Sequence, residues 1–435
     1  MRKNFTFLTA IFVCALMQVV ALAQSQSNEV ATAESAASIT GSFKVLSDAS
    51  DIPALSTSEI ADQIADAKQL LKSQPAKATS AQDISVSLAA LDPELLQIHI
   101  FSLPKGSFLV KGANLLATTQ LGRTVRLHIV NANGVNTAVT VTDTATGRSL
   151  VPLVVEYPIE KGASVSETAY YTSAHPALKS PEIISAGKTY VTSMLATAAA
   201  SLAEKGVTIS PDIVDIAEHL CIVEHTDHKR FLNEDRAALF PEILALYALN
   251  QNDTYRYSIS SAGAGGMIQM IPRTYEGIRQ NHPTIDLNPD FVAGMRDHAN
   301  ALEAMLLYMQ DTWNGLEQSP EVHDALRAGI ATKTELLAAG YNSNPMRLPA
   351  YLKRGSTEWR TLIPAETQMY LTIYDSVDSN VQFAQPGTQE TASDSSATAG
   401  QLGVTKARRS ATTALMAWLS KELLSSGSFV RHILP

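Results

Sequence analysis

The apolar pattern changes character several times along the chain. Residues 5–20 are almost all apolar and sit behind the basic pair Arg2 and Lys3; Ala21-Leu22-Ala23 follows. A basic start, a short apolar run and a small-x-small ending are the parts of a secretory signal, so residues 1–23 are predicted to be a cleaved leader. The run is short for a spanning helix, and no later segment is apolar for the length a span needs, so no stable transmembrane anchor is expected. Residues 24–90 are rich in Ala, Ser, Thr, Gln and Asp and read as a tether, with one amphipathic helix over 58–71.

From residue 91 the period drops to two. Val125, Leu127 and Ile129 alternate with Thr124, Arg126 and His128, and Val139 and Val141 alternate with Thr140 and Thr142. Asn133-Gly134 between these runs signals a hairpin. A second turn is expected over 143–148, where Gly147 is free to take a positive φ. Residues 150–157 form a further strand, and Pro152 suggests an edge position because proline cannot donate to a ladder. Residues 91–188 are therefore predicted to form a small antiparallel β domain, a scaffold or binding module without catalytic spacing.

Residues 189–378 follow a helical period. Ser210-Pro211-Asp212 offers a cap, a proline at the first position and an acid in the first turn. Pro241 is expected to open another helix in the same way. Residues 379–435 turn Gln-, Ser- and Thr-rich and read as a flexible tail with a possible short helix over 412–424. The fold class predicted is α+β and multidomain, with a mainly α domain preceded by the small β domain.

Composition narrows the function. Hydrophobic residues make up 45% of the 435, which argues against a wholly disordered chain. Charged residues make up 17%, and 33 basic against 42 acidic side chains give a net charge of −9. A nucleic-acid partner is not expected, since phosphate contact needs clustered Lys and Arg. Of the two cysteines, Cys14 lies in the leader and Cys221 reads as a buried apolar side chain.

Three features carry candidate chemistry. On the helix opened by Pro211, Ile213, Ile216, Ala217, Leu220, Cys221, Glu224, His228 and Phe231 recur at spacings of three and four and share a face. A carboxyl on such a stripe loses solvent and holds its proton, as a general acid does; the alternative is a Glu at the stripe edge satisfied by a helix partner. The second feature runs from Gly263-Ala264-Gly265-Gly266-Met267-Ile268-Gln269 to Pro272-Arg273-Thr274. Its glycines permit close backbone approach and its amide suits a neutral ligand, while the Gly-Lys-Ser/Thr ending of a phosphate loop is missing. The third is Ala339-Gly340-Tyr341-Asn342-Ser343-Asn344-Pro345, a Tyr and two amides at a helix end. His219, His225 and His228 invite a metal reading, but the four-residue His spacing around a Glu is missing, and no metal or cofactor is expected.

In this order the features resemble the soluble lytic transglycosylase-like domain, a relative of goose-type lysozyme. That family carries a catalytic Glu at a helix end, then Gly-Ala-x-Gly-Leu-Met-Gln-x-x-Pro-x-Thr, then Ala-Tyr-Asn-Ala-Gly-Pro. Here Met267 and Ile268 replace Leu-Met, and Asn344 stands where the family has Gly. Downstream, Ile363-Pro364-Ala365-Glu366-Thr367-Gln368-Met369-Tyr370 is similar to the family's Leu-Pro-x-Glu-Thr-x-x-Tyr. The likeness covers about 170 of the 435 residues.

The resemblance implies a lysozyme-like catalytic domain in an exported protein, periplasmic or extracellular, that cleaves peptidoglycan glycan strands. Glu224 is the implied acid and base and Tyr341 its orienting partner. Gln269, Ser260 and Asn342 are the implied contacts to the N-acetyl and backbone groups of the sugars, with Gly266, Met267 and Tyr255 beside them. A wall protein is a possible partner of the β domain. Glu224 precedes Gly263 by 39 residues, farther than in the family, and is followed by His225 rather than Ser. A gapless reading back from Gly263 puts Gln251 near the acid position, and Gln cannot donate and retrieve a proton. An insertion with Glu224 as the acid therefore competes with a degenerate, wall-binding site. Glu242 is a third candidate, explained equally by a helix start. Asp227, three residues after Glu224, leaves lysozyme-like hydrolysis open.

Overall fold

A computed structural model describes residues 56–74, 84–162 and 164–383. The leader expected over 1–23 and the helix expected over 412–424 lie outside these residues. The described chain is α+β: an antiparallel sheet followed by a helical body.

The first helix, α1 (Thr57–Ser73), opens with a capping box between Ser56 and Glu59 and buries Ile60, Ile64, Ala67 and Leu71 at helical spacing. This matches the helix expected over 58–71, but its apolar face is core. It packs on β1 (Ser85–Asp92) and, farther along the chain, on the strand that carries Val151, Leu153 and Val154. The stretch read as tether therefore contributes a helix and a strand. β1 has seven consecutive buried residues, so covering both of its faces erases the alternation that would have marked it.

β2 (Gln97–Pro104) returns antiparallel to β1, and the short α2 (Lys105–Phe108) plugs the sheet interior with Phe108. β3 (Asn114–Thr118), β4 (Thr124–Asn131), β5 (Ala138–Asp143), β6 (Ser149–Lys161) and β7 (Ser164–Tyr171) complete it. The strand order is β2-β1-β6-β5-β4-β3, with β7 also on β6. Gln120, just after β3, donates its backbone N–H to Ile100 O (2.8 Å) and its side-chain amide to Ile98 O (3.2 Å) on β2, so the sheet nearly closes. Val125, Leu127, Ile129, Val139 and Val141 face the interior as their alternation requires. Gly147 takes φ +72° in the expected turn. Pro152, however, is not at an edge. β6 is a central strand, and Pro152 faces Ala90 where the register with β1 slips, a bulge that needs no proline N–H.

The helical body begins at α3 (Pro181–Glu204), eight residues before the boundary expected at 189, with Ser180 as cap and proline at its start. α4 (Pro211–Val223), α5 (His228–Asn233) and α6 (Arg236–Asn250) follow. Pro241 lies inside α6; the cap is Asp235, whose carboxylate accepts from Ala237 N–H. Then come α7 (Pro272–Asn281), α8 (Phe291–Arg296), α9 (His298–Leu316), α10 (Pro320–Arg327), α11 (Lys333–Asn342), α12 (Leu348–Gly355) and α13 (Ala365–Asn380). α9 and the buried face of α4 form the centre of this core. Ile183 and Ala186 of α3 and Ala245 and Leu249 of α6 share a cluster with α1 and the sheet, so sheet and helices are held by continuous apolar packing.

α3 and α6 approach closely at Gly187, where a Cβ would lie 1.9 Å from Leu244 O. Backbone cannot yield as a side-chain tip does. Gly187→Ala is expected to destabilise the chain by about 1–3 kcal/mol, the usual range for overpacking; urea unfolding against the parent chain checks this.

Candidate active site

Glu224 is the residue at which α4 stops. Its N–H still bonds Leu220 O (3.0 Å), and the turn through Thr226 leads to Asp227, which caps α5 through Arg230 N–H (2.9 Å). The stripe of Ile213, Ile216, Ala217, Leu220 and Cys221 is fully buried, and Glu224 continues it half-buried at the end. The expected continuation through His228 and Phe231 is broken by that turn: His228 is exposed, and Phe231 re-enters the core from α5. Burial raises the Glu224 carboxyl from 4.5 to about 8, and the nearby Glu366 carboxylate pushes the same way. A hydrogen bond from Tyr370 Oη to Glu224 Oε1 (2.6 Å) opposes the rise.

The glycine-rich segment forms a tight loop against α8. Gly266 takes φ +69°, and a Cβ there would lie 2.2 Å from Met295 O, so only glycine fits. Met267 and Ile268 are buried anchors, and their carbonyls are held from both sides. His225 Nε2 lies 2.9 Å from Met267 O, and Tyr341 Oη donates to Ile268 O (2.8 Å). Gln269, at φ +45°, donates its amide to Gly266 O (2.8 Å) and Ser258 Oγ (3.3 Å).

Glu224, Gln269, Tyr341 and Asn342 line one cleft of about 860 Å³, walled by α7, α9 and the 342–346 turn. Asn342 Oδ1 accepts from Thr367 Oγ1 (2.9 Å). Four of the expected site residues thus meet. Tyr341, however, spends its hydroxyl on the loop; the hydrogen bond to the acid that the resemblance assigned to it comes from Tyr370.

The other expected residues are placed differently. Gly266 and Met267 shape the loop. Ser260 is exposed at the loop tip, with its Oγ accepting from Ala264 N–H (3.0 Å). Tyr255 lies flat on His225, ring centroids 3.4 Å apart, where it supports the turn after Glu224. Neither Ser260 nor Tyr255 lines the cleft. Gln251 closes α6 at φ +47° and lines a separate groove with α1 and α3. Glu242 pairs with Arg230 (2.8 Å) and Lys179 (3.7 Å). His219 bonds Asp215 O and packs on Tyr374 and Phe383, so the three histidines engage separate surroundings.

Tyr370 ends the Pro364-x-Glu-Thr-x-x-Tyr string, but nothing in the sequence alone places it against Glu224. Nor does the sequence single out Asp311, which lines the cleft with its Oδ2 2.8 Å from His282 Nε2. No motif signals that pair, because α7 and α9 meet only in the fold.

The raised Glu224 pKa has a stability consequence. Unfolded, the carboxyl titrates at its ordinary value; folded, it titrates near 8. Its contribution is fully present below about pH 4.5 and is lost as the pH rises through about 8. Glu224→Gln is therefore expected to stabilise the fold by about 1–3 kcal/mol at pH 7 and to be near neutral at pH 4, as read by urea unfolding across pH. Comparison of the chain with family models, curated proteins and solved structures gave no match.

Proposed function

We propose that the cleft is the active site of an exported peptidoglycan lytic transglycosylase on a lysozyme-like helical domain. The observation that carries this reading is the Glu224 carboxyl at the end of a buried stripe, pushed up to about 8, opening onto a cleft lined by amides and tyrosines. A cleft of this size with neutral hydrogen-bonding groups suits a sugar ligand.

In this mechanism Glu224 gives its proton to the glycosidic oxygen between N-acetylmuramic acid and N-acetylglucosamine, and the C1–O bond breaks with the electrons going to the leaving sugar. The substrate's acetamido group shields the cationic C1. The Glu224 carboxylate then takes the proton of the muramic 6-hydroxyl as O6 bonds to C1. A 1,6-anhydro ring forms, water is not consumed, and the acid is regenerated. Tyr370 steadies the carboxyl through both steps. Gln269 and Asn342 contact the sugar amides, and the exposed Ile271 and Met346 on the cleft lining offer apolar contact to ring faces.

The Asp311 carboxylate in the same cleft favours a second reading, a lysozyme-like hydrolase in which it assists a water. A wall-binding protein with Gln251 in the acid position is less supported, because Gln251 lies outside the cleft. The exported location and a wall-protein partner of the sheet belong to this proposal.

Digestion of purified walls, read by mass spectrometry, tests it. Anhydro-muropeptides are expected from the parent chain and none from Glu224→Gln; reducing-end products make it a hydrolase, and no product from either chain overturns catalysis. The pH profile supplies an independent check. The kcat/KM is expected to fall above about pH 8 as the acid ionises. Tyr370→Phe removes the bond that favours the ionised form, so that limb should move to higher pH, while Tyr341→Phe should leave it in place.

A further inference from the structure

The chain is acidic overall, at −9, yet its cleft does not share that sign. Two carboxyl groups line the cleft. Glu224 is held protonated near neutral pH, and Asp311 is engaged by His282. Against them stands Arg273, in the first turn of α7, the only basic residue on the lining among the described residues. Among the described residues its guanidinium has no hydrogen-bond or ion-pair partner. Several arginines of this body find one, although Arg236, Arg347 and Arg354 do not. Arg279, on the same helix, bonds Glu276 and Leu287 O, and Arg230 grips Glu242 and Glu234.

A guanidinium is a rigid planar fork whose donors match a carboxylate in a two-point contact. The N-terminal end of α7 carries no side-chain cap, so the peptide dipoles there add positive potential of the same sign. Apart from Glu224 and Asp311 the other side chains on the lining are neutral, so an incoming anion meets attraction at Arg273 and repulsion from the Asp311 carboxylate alone.

We propose that Arg273 is a specificity-determining residue that receives a carboxylate of the substrate, so that the cleft selects an acidic glycan over a neutral N-acetylated one. This rests on the reading of the cleft as a glycan site. It also accounts for how an acidic protein takes an acidic polymer: the attraction is local, at one guanidinium, and not a property of the net charge.

The test is calorimetric titration of the full chain in a Glu224→Gln background, to prevent turnover, with and without Arg273→Gln. The probes are soluble N-acetylglucosamine–N-acetylmuramic acid oligomers and the same oligomers with their carboxyl groups converted to amides. Arg273→Gln is expected to weaken the acidic oligomer about tenfold or more, as loss of a charged hydrogen bond does, and to change the amidated one less than about twofold. Arg273→Lys should recover part of the loss, and equal melting temperatures guard against misfolding. Equal effects on both oligomers, or no effect on either, overturn the proposal. Binding of neither oligomer overturns it together with the glycan reading. Wall digestion by the parent chain separates the remaining cases. Arg273-dependent binding without digestion leaves the receptor standing and removes the enzyme; digestion that ignores both Arg273 and the amidation does the reverse.

Discussion

The site depends on one constraint, a half-buried carboxyl at the end of a buried helix stripe, where ionisation is harder than in water. α4 carries Glu224 to the edge of the core, and the helix stops there. Ionising the group costs more than in water, so the fold carries a group that destabilises it as the pH rises. Such a cost is characteristic of sites that hold a proton for chemistry, and it is the reason the surrounding contacts matter. Tyr370 holds the carboxyl oxygen from α13, and Tyr255 backs the turn through the ring of His225.

The glycine-rich loop is placed by the same turn. His225, one residue after the acid, meets Met267 O, and Tyr341 meets the next carbonyl. The loop is thereby held to both α4 and α11, and Gln269 is fixed on the cleft in a left-handed conformation that a free loop would seldom keep. The long interval between Glu224 and Gly263 is occupied by α5 and α6. α6 is buried over most of its length, lies against α3, and donates Tyr247 Oη to Cys221 O on α4 (2.9 Å). α6 is core, and it braces α4.

The sheet is tied to this body by more than apolar packing. Glu167 on β7 accepts from Tyr257 (2.7 Å) and from Arg296 of α8 (2.9 Å), while both Arg296 and Arg256 lie over the Tyr257 ring. These contacts reach the residues that flank the glycine-rich loop on both sides, so the sheet helps set where the loop sits. They also mean that the sheet and the helices pack as neighbours with shared ionic contacts.

Much of this was legible in order along the chain. The alternation of Val125, Leu127 and Ile129 marked a strand because one face is buried and the other wet. Ser210-Pro211-Asp212 marked a helix start because a proline at the first position and an acid in the first turn act locally; Ser210 stands at the cap position, but its hydroxyl donates to Asp212 rather than capping a backbone N–H. The glycines at 263–266 marked a loop because a positive φ and a close backbone approach exclude other side chains. β1 shows no period in the sequence because it is buried on both faces. Pro152 misled because a bulge, not an edge, absorbs its missing N–H. The pairing of Glu224 with Tyr370, of Asp311 with His282, and the isolation of Arg273 were decided only by the tertiary structure. Each depends on which helices pack against one another, and a contact between residues 146 positions apart leaves no spacing in the sequence to read.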